Sequence, residues 1–136
     1  MSDCIFCKII AGEIPSLKIY EDETVLAFLD ISQVTPGHTL LIPKKHFRNF
    51  LEMDIESSNQ LFSYLPNLAQ KIMKATNATG MNILNNNEEI AGQTVFHTHI
   101  HLIPRYSQED DLKITFTAHE PDFPSLTSLA EKISQA

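Results

Sequence analysis

Apolar residues recur at Leu61, Leu65, Leu68 and Ile72, spacings of four, three and four that lay one stripe along a helix face. The pattern predicts a helix from Asp54, kinked or bent where Pro66 removes an amide donor, and closed by ATNATG. Elsewhere the pattern is that of strands. LKIYEDETVLAFLD reads as two strands, about residues 17–20 and 24–29, joined by an acidic turn. ISQVTPGH is a loop, HTLLIP a buried strand ended by Pro43, and residues 81–85 a further strand before the loop NNEEIAG. At the N-terminal end, DCIFCKIIAG predicts a short helix with Asp3 as N-cap and Gly12 as its stop. After Pro104 the chain turns polar, and Pro121 and Pro124 introduce a short helix from about residue 125. There are no repeats, linkers or low-complexity tracts, so residues 1–136 read as one domain.

Composition narrows the class. The 136 residues suffice for a core without disulfides, and 43% hydrophobic with 20% charged residues is a globular balance. No apolar run approaches the roughly 18 residues of a membrane span. MSDCIFCKII has no basic n-region or cleavage pattern, so a cytoplasmic protein is expected. There, C-x-x-C at Cys4 and Cys7 suggests metal or redox chemistry rather than a structural disulfide, with plain buried cysteines an equal alternative. A net charge of -7 argues against nucleic acid as a partner, so any phosphate ligand must be held by a local pocket.

The densest chemistry lies in QTVFHTHIHLIPR, where His97, His99 and His101, half of the chain's six histidines, stand at two-residue intervals. On a strand these three share one face with Val95 and Ile103, while Phe96, Thr98, Ile100 and Leu102 point the other way. From the residues alone three readings stand: a histidine-rich exposed strand, a metal-binding His-x-His pair, or nucleophilic and acid–base work on an anion. One metal could not take all three rings, because the outer Cα atoms are roughly 13 Å apart along a strand.

HTHIHLIPR resembles the H-φ-H-φ-H-φ-φ signature of the histidine triad (HIT) family, φ being apolar. CIFCKIIAGEIPS, FLDISQVTPGHTLLIPKKH and NNNEEIAGQTVFH also match in order, so the likeness runs from about Cys4 to Arg105, leaving 106–136 as a tail. It is close to the Hint branch. The resemblance implies an α+β domain: an antiparallel sheet of about five strands, a long helix and a short N-terminal helix, with the sheet continued across a homodimer. It also implies a hydrolase acting at the α-phosphate of nucleotides through a covalent nucleotidyl-histidine. Purine nucleoside phosphoramidates are the expected substrates. A dinucleoside polyphosphate hydrolase and a nucleotide-binding regulator or scaffold are the alternatives, with a metal-dependent hydrolase a weaker third.

The resemblance also assigns residues. His99 matches the nucleophile, and His101 a residue that contacts the phosphate and helps with charge or protons. Thr94 matches a hydroxyl near the leaving group, with Gln93 before it in the phosphate loop, and His38 a fourth, supporting histidine; a solvated turn residue is its plain reading. Asp30 matches the group that holds the ribose hydroxyls, although capping the turn at FLDIS is as sensible physically. Ile5, Phe6, Ile9 and Phe28 match an apolar base pocket and could equally be core. Asn86 best matches the phosphate-contacting asparagine. A structural zinc is implied on Cys4, Cys7, His46 and His97. Three departures stand out. Thr98 replaces an aliphatic residue, Asn87 stands where many relatives have glycine and is expected to take a positive φ, and the tail lacks the tryptophan-containing ending of eukaryotic Hint proteins.

Overall fold

The structure, a computed structural model, describes residues 3–136. Five strands form one antiparallel sheet in the order β1-β2-β3-β5-β4: β1 (Lys18–Glu21), β2 (Val25–Leu29), β3 (Thr39–Pro43), β4 (Gly80–Leu84) and β5 (Ile100–Arg105). The acidic turn between β1 and β2 forms because Asp22 Oδ1 accepts the amide protons of Thr24 at 2.7 Å and Val25 at 2.9 Å.

Four helices accompany the sheet. The first, α1 (Ile5–Ile10), is capped by Cys4 and not by the expected Asp3, with the Cys4 sulfur accepting the Cys7 amide at 3.3 Å. Gly12 ends it as expected. At φ +81° the glycine lets its own amide reach the Ile9 carbonyl while the Glu13 amide reaches Lys8, a Schellman closure. The expected single kinked helix is two helices, α2 (Ile55–Ser63) and α3 (Leu65–Thr76), meeting at Tyr64. Pro66 sits in the first turn of α3, where its missing N–H costs nothing, and its ring bars continuation from α2. The stripe survives the break: Leu61 and Leu68 are fully buried, Ile72 nearly so, and Leu65 packs beside them. Asn77, in the left-handed region at φ 55°, ends α3.

The sheet has two covered faces. Val25, Ala27, Leu41, Ile100 and Leu102 meet the α2–α3 stripe, while Leu26, Phe28, Leu40 and Ile42 meet Phe6 and Ile9 of α1. Leu40 lies directly opposite His101, so the triad opens on the α1 face.

The expected histidine strand is shorter than its pattern. β5 begins only at Ile100, and residues 93–99 are irregular with bends at 95–97. The reason is competing partners. Thr98 donates its amide at 2.8 Å and its hydroxyl at 3.2 Å to the Phe47 carbonyl, and the His99 carbonyl accepts Asn85 Nδ2 at 2.9 Å. Neither bond belongs to a strand ladder.

Beyond Asp110 the chain runs out as an exposed arm ending in α4 (Phe123–Ser134), which buries none of its residues; Phe123, Leu126, Leu129 and Ile133 all face solvent. No helix among the described residues is long and apolar enough to cross a membrane.

Candidate active site and metal-ligand cluster

Each histidine of the triad has its tautomer fixed by a neighbour that can play only one hydrogen-bonding role. A carbonyl can only accept. His97 Nε2 lies 2.8 Å from the Pro43 carbonyl, so that nitrogen carries the proton and Nδ1 is bare. His99 Nδ1 lies 2.7 Å from the His97 carbonyl, so Nδ1 is protonated and Nε2 keeps its lone pair. His101 takes its tautomer through His38. The Val34 amide can only donate, and it donates to His38 Nδ1 at 3.2 Å. His38 therefore holds its proton on Nε2 and donates it to His101 Nδ1 at 2.9 Å. His101 is left with a proton on Nε2. The middle ring thus offers a lone pair and its neighbour, 5.0 Å away between centroids, offers a donor.

Burial keeps these rings neutral. It pulls His99 below its ordinary value, with the His97 carbonyl and Asp30 opposing. It takes His101 down to about 4, helped by the neighbouring rings of His99 and His38, and lowers His38 against the pull of Asp30. A neutral His99 is the form that can attack an electrophile.

Asp30 divides its carboxylate between two tasks. Oδ1 accepts the Ser32 amide at 2.7 Å and caps the turn, while Oδ2 faces His38 Nε2 at 3.6 Å, beside the triad. Phe6, Ile9 and Phe28 are buried, and Phe6 stands edge-on to Phe28, His97 and His99, with its centroid 5.1 Å from the His99 ring. Ile5 is 46% exposed and lies at the rim of a shallow groove shared with Thr94 and Val95. Asn86 makes one long bond, 3.4 Å to the Gly92 carbonyl, so its amide has capacity left, while Asn85 is tied to the His99 carbonyl. Gln93 has no such capacity. Its Oε1 accepts from Asn49 and from the Glu88 amide, and its Nε2 donates to the carbonyls of Arg48 and Val95. Its side chain is a buried hub, and Thr94 beyond it is exposed.

On the other side of His97 lies a ligand cluster. Cys4 Sγ is 3.4 Å and Cys7 Sγ 3.6 Å from His97 Nδ1, Cys7 Sγ is 3.3 Å from His46 Nδ1, and all four donor atoms lie within 4.8 Å of one another. A zinc tetrahedron of two sulfurs and two nitrogens has sulfur–nitrogen edges of about 3.6 Å. The residues fit the ion, and the bare His97 Nδ1 is the atom aimed at it. Burial and the adjacent Cys4 thiol raise Cys7 to about 11, so thiolates here call for a cation. Asp30, His38 and His101 also lie within 4.8 Å of one another, but the proton on His38 Nε2 removes the lone pair a metal would need.

The four expected zinc ligands and the three histidines expected to serve catalysis, His38, His99 and His101, are therefore brought together around the triad segment. What the sequence did not signal are the Pro43 and His97 carbonyls and the Val34 amide, backbone groups that leave no mark in residue type, and the set Arg48, Asn49 and Glu88. The positive φ expected at Asn87 falls one residue later, on Glu88 at +78°.

The profile of the HIT domain family matches residues 11–108. The chain belongs to the HIT domain family. It is 54% identical over 121 residues to Protein hit of Bacillus subtilis, covering 89% of this chain and 83% of that one. It is 40% identical over 131 residues to adenosine 5'-monophosphoramidase hnt1 of Schizosaccharomyces pombe, covering 96% of both. Among solved structures, SMU.412c of Streptococcus mutans UA159 is 60% identical and superimposes with a TM-score of 0.96 over 99% of this chain and 85% of that chain.

Proposed function

We propose that this HIT-family hydrolase cleaves purine nucleoside phosphoramidates at the α-phosphorus through a nucleotidyl-His99 intermediate, releasing the nucleoside monophosphate. The observation that carries the reading is the fixed tautomer of His99, whose Nε2 lone pair stands beside the Nε2–H of His101. The lone pair attacks phosphorus in line. The bond to the leaving amine breaks as that amine takes up a proton from solvent water, and His101 Nε2–H stabilises charge on a non-bridging oxygen. The His99 Nδ1–H bond to the His97 carbonyl supports the positive charge that builds on the ring. Water then attacks the same phosphorus and gives up a proton to solvent, the bond to Nε2 breaks, and His99 regains its lone pair. Asp30 Oδ2 would accept from the ribose hydroxyls, the apolar residues beside Phe6 would hold the base, the spare amide of Asn86 would donate to the phosphate, and Thr94 would face the leaving group.

The test is a competition between adenosine 5'-phosphoramidate and a dinucleoside polyphosphate on the purified protein. Faster release of nucleoside monophosphate from the phosphoramidate is expected. Preference for the dinucleoside would transfer the assignment to polyphosphate hydrolysis, and tight binding without turnover would leave a regulator.

Cys4, Cys7, His46 and His97 would hold a zinc ion whose closed shell supplies folding energy and no chemistry. The ion would tie α1 to the triad segment and lock the His97 ring.

A homodimer completes the reading. The arm bearing α4 buries nothing of its own, yet the Streptococcus mutans chain superimposes almost end to end at a TM-score of 0.96, a value an arm of random course would not allow. A second copy that seats the apolar side of α4 accounts for both facts, and two-fold contacts are the commonest way to cover such a surface. Light scattering at micromolar concentration should give twice the 15.4 kDa chain mass; a monomer would remove the dimer.

A further inference from the structure

The geometry points to Glu88 as a positioning residue, whose side chain, clamped by Arg48 and Asn49, holds a glycine-type backbone conformation that sets the loop leading into Thr94. The inference rests on the hydrolase reading above and adds to it a residue outside the triad. Glu88 has φ +78° and ψ 158°, a region that residues with a Cβ avoid and glycine enters freely. Such strain persists only where surrounding contacts over-determine it. Here they do. Arg48 donates from Nε and Nη2 to the two carboxylate oxygens, each at 2.8 Å, and Asn49 Nδ2 adds a bond of 2.7 Å. Arg48 is itself held over the Phe96 ring, 4.4 Å from its centroid.

The strained backbone is the point from which the loop hangs. The Glu88 amide donates to Gln93 Oε1 at 2.8 Å, and the Glu88 carbonyl accepts the amides of Ala91 at 3.0 Å and Gln93 at 3.1 Å. If φ relaxed to a negative value, that amide and that carbonyl would swing off all three partners, and Gln93 would lose the bonds that deliver Thr94 to the leaving-group side. An exposed ion pair as such contributes little. This one matters because it opposes a backbone that would otherwise turn.

Two substitutions differing by one methyl group separate this role from an ordinary surface contact. Glu88→Ala removes the clamp and keeps the Cβ that makes the conformation costly; Glu88→Gly removes the clamp and the strain together. We expect kcat for nucleotide hydrolysis to fall about tenfold in Glu88→Ala and in Arg48→Met, to stay within about twofold of the parent in Glu88→Gly, and to recover in Arg48→Met/Glu88→Gly. Affinity for adenosine, which carries no phosphate for Asn86 and is held from the Asp30 side, should be unchanged in all four. A plain structural role predicts the reverse order, with glycine worse than alanine. Hydrogen exchange at the Ala91 and Gln93 amides gives a second readout that needs no turnover: faster in Glu88→Ala and Arg48→Met, near parental in both glycine variants. Glycine as impaired as alanine in either readout, or no change in any variant, overturns the clamp. A parent protein that hydrolyses no nucleotide while exchange follows the expected order would overturn only the hydrolase reading.

Discussion

Replacing His99 with alanine should lower the rate of phosphoramidate hydrolysis on the order of 10³-fold or more, about 4 kcal/mol of transition-state stabilisation, while nucleotide binding largely persists. Binding should survive because Phe6 keeps its packing on Phe28 and His97, Asp30 its bond from the Ser32 amide and His101 its bond from His38 when the His99 ring is removed. Rapid quenching of the parent enzyme with labelled substrate should trap a nucleotidyl adduct that is missing from His99→Ala. An alanine variant with near-parental turnover would mean that the bare Nε2 is not the attacking atom.

The second large effect concerns the metal cluster. Elemental analysis should find about one zinc per chain, and Cys4→Ser/Cys7→Ser should lose it. Two ligands removed from a closed site cost several kcal/mol, enough to lower the melting temperature by about 10 °C or more. The loss should fall on stability, because no step of the chemistry runs through the ion. Metal-free protein that melts at the same temperature as the metal-loaded protein would return both cysteines to a packing role. A chelator that stops turnover without lowering the melting temperature would instead favour a metal-dependent hydrolase.

Much of this was legible along the chain because it is written in residue type and period. The stripe from Leu61 to Ile72, the short apolar strand segments and the Gly12 stop each depend on local sterics, and all three stand in the structure. The histidines were legible as a set for the same reason. Their environment was not. Period two predicts a strand through His97 and His99, but the Phe47 carbonyl and the Asn85 amide, contributed from distant parts of the chain, take the bonds a strand would have used. The tautomers depend on Pro43 and Val34, which act through backbone atoms alone. Likewise Gln93 reads as a polar loop residue, and only its four internal bonds make it a hub. The misplacement of the positive φ by one residue has the same origin: asparagine is the better intrinsic candidate, and the tertiary partners of Glu88 outweigh that preference.

The shortness of α1 has a bearing on how the site can vary. Six residues are far too few to stay helical alone, so its order comes from the burial of Phe6 and Ile9 and from the Cys4–Cys7 cluster. His99, by contrast, hangs from backbone that leads straight into the central sheet. With the base seated beside Phe6 as proposed, the wall that admits it would rest on an element open to local unfolding, and the attacking ring on the sheet. Drift in the sequence of α1 would then retune which base is admitted, while the Pro43, Val34 and His97 backbone groups that set the tautomers stay in place.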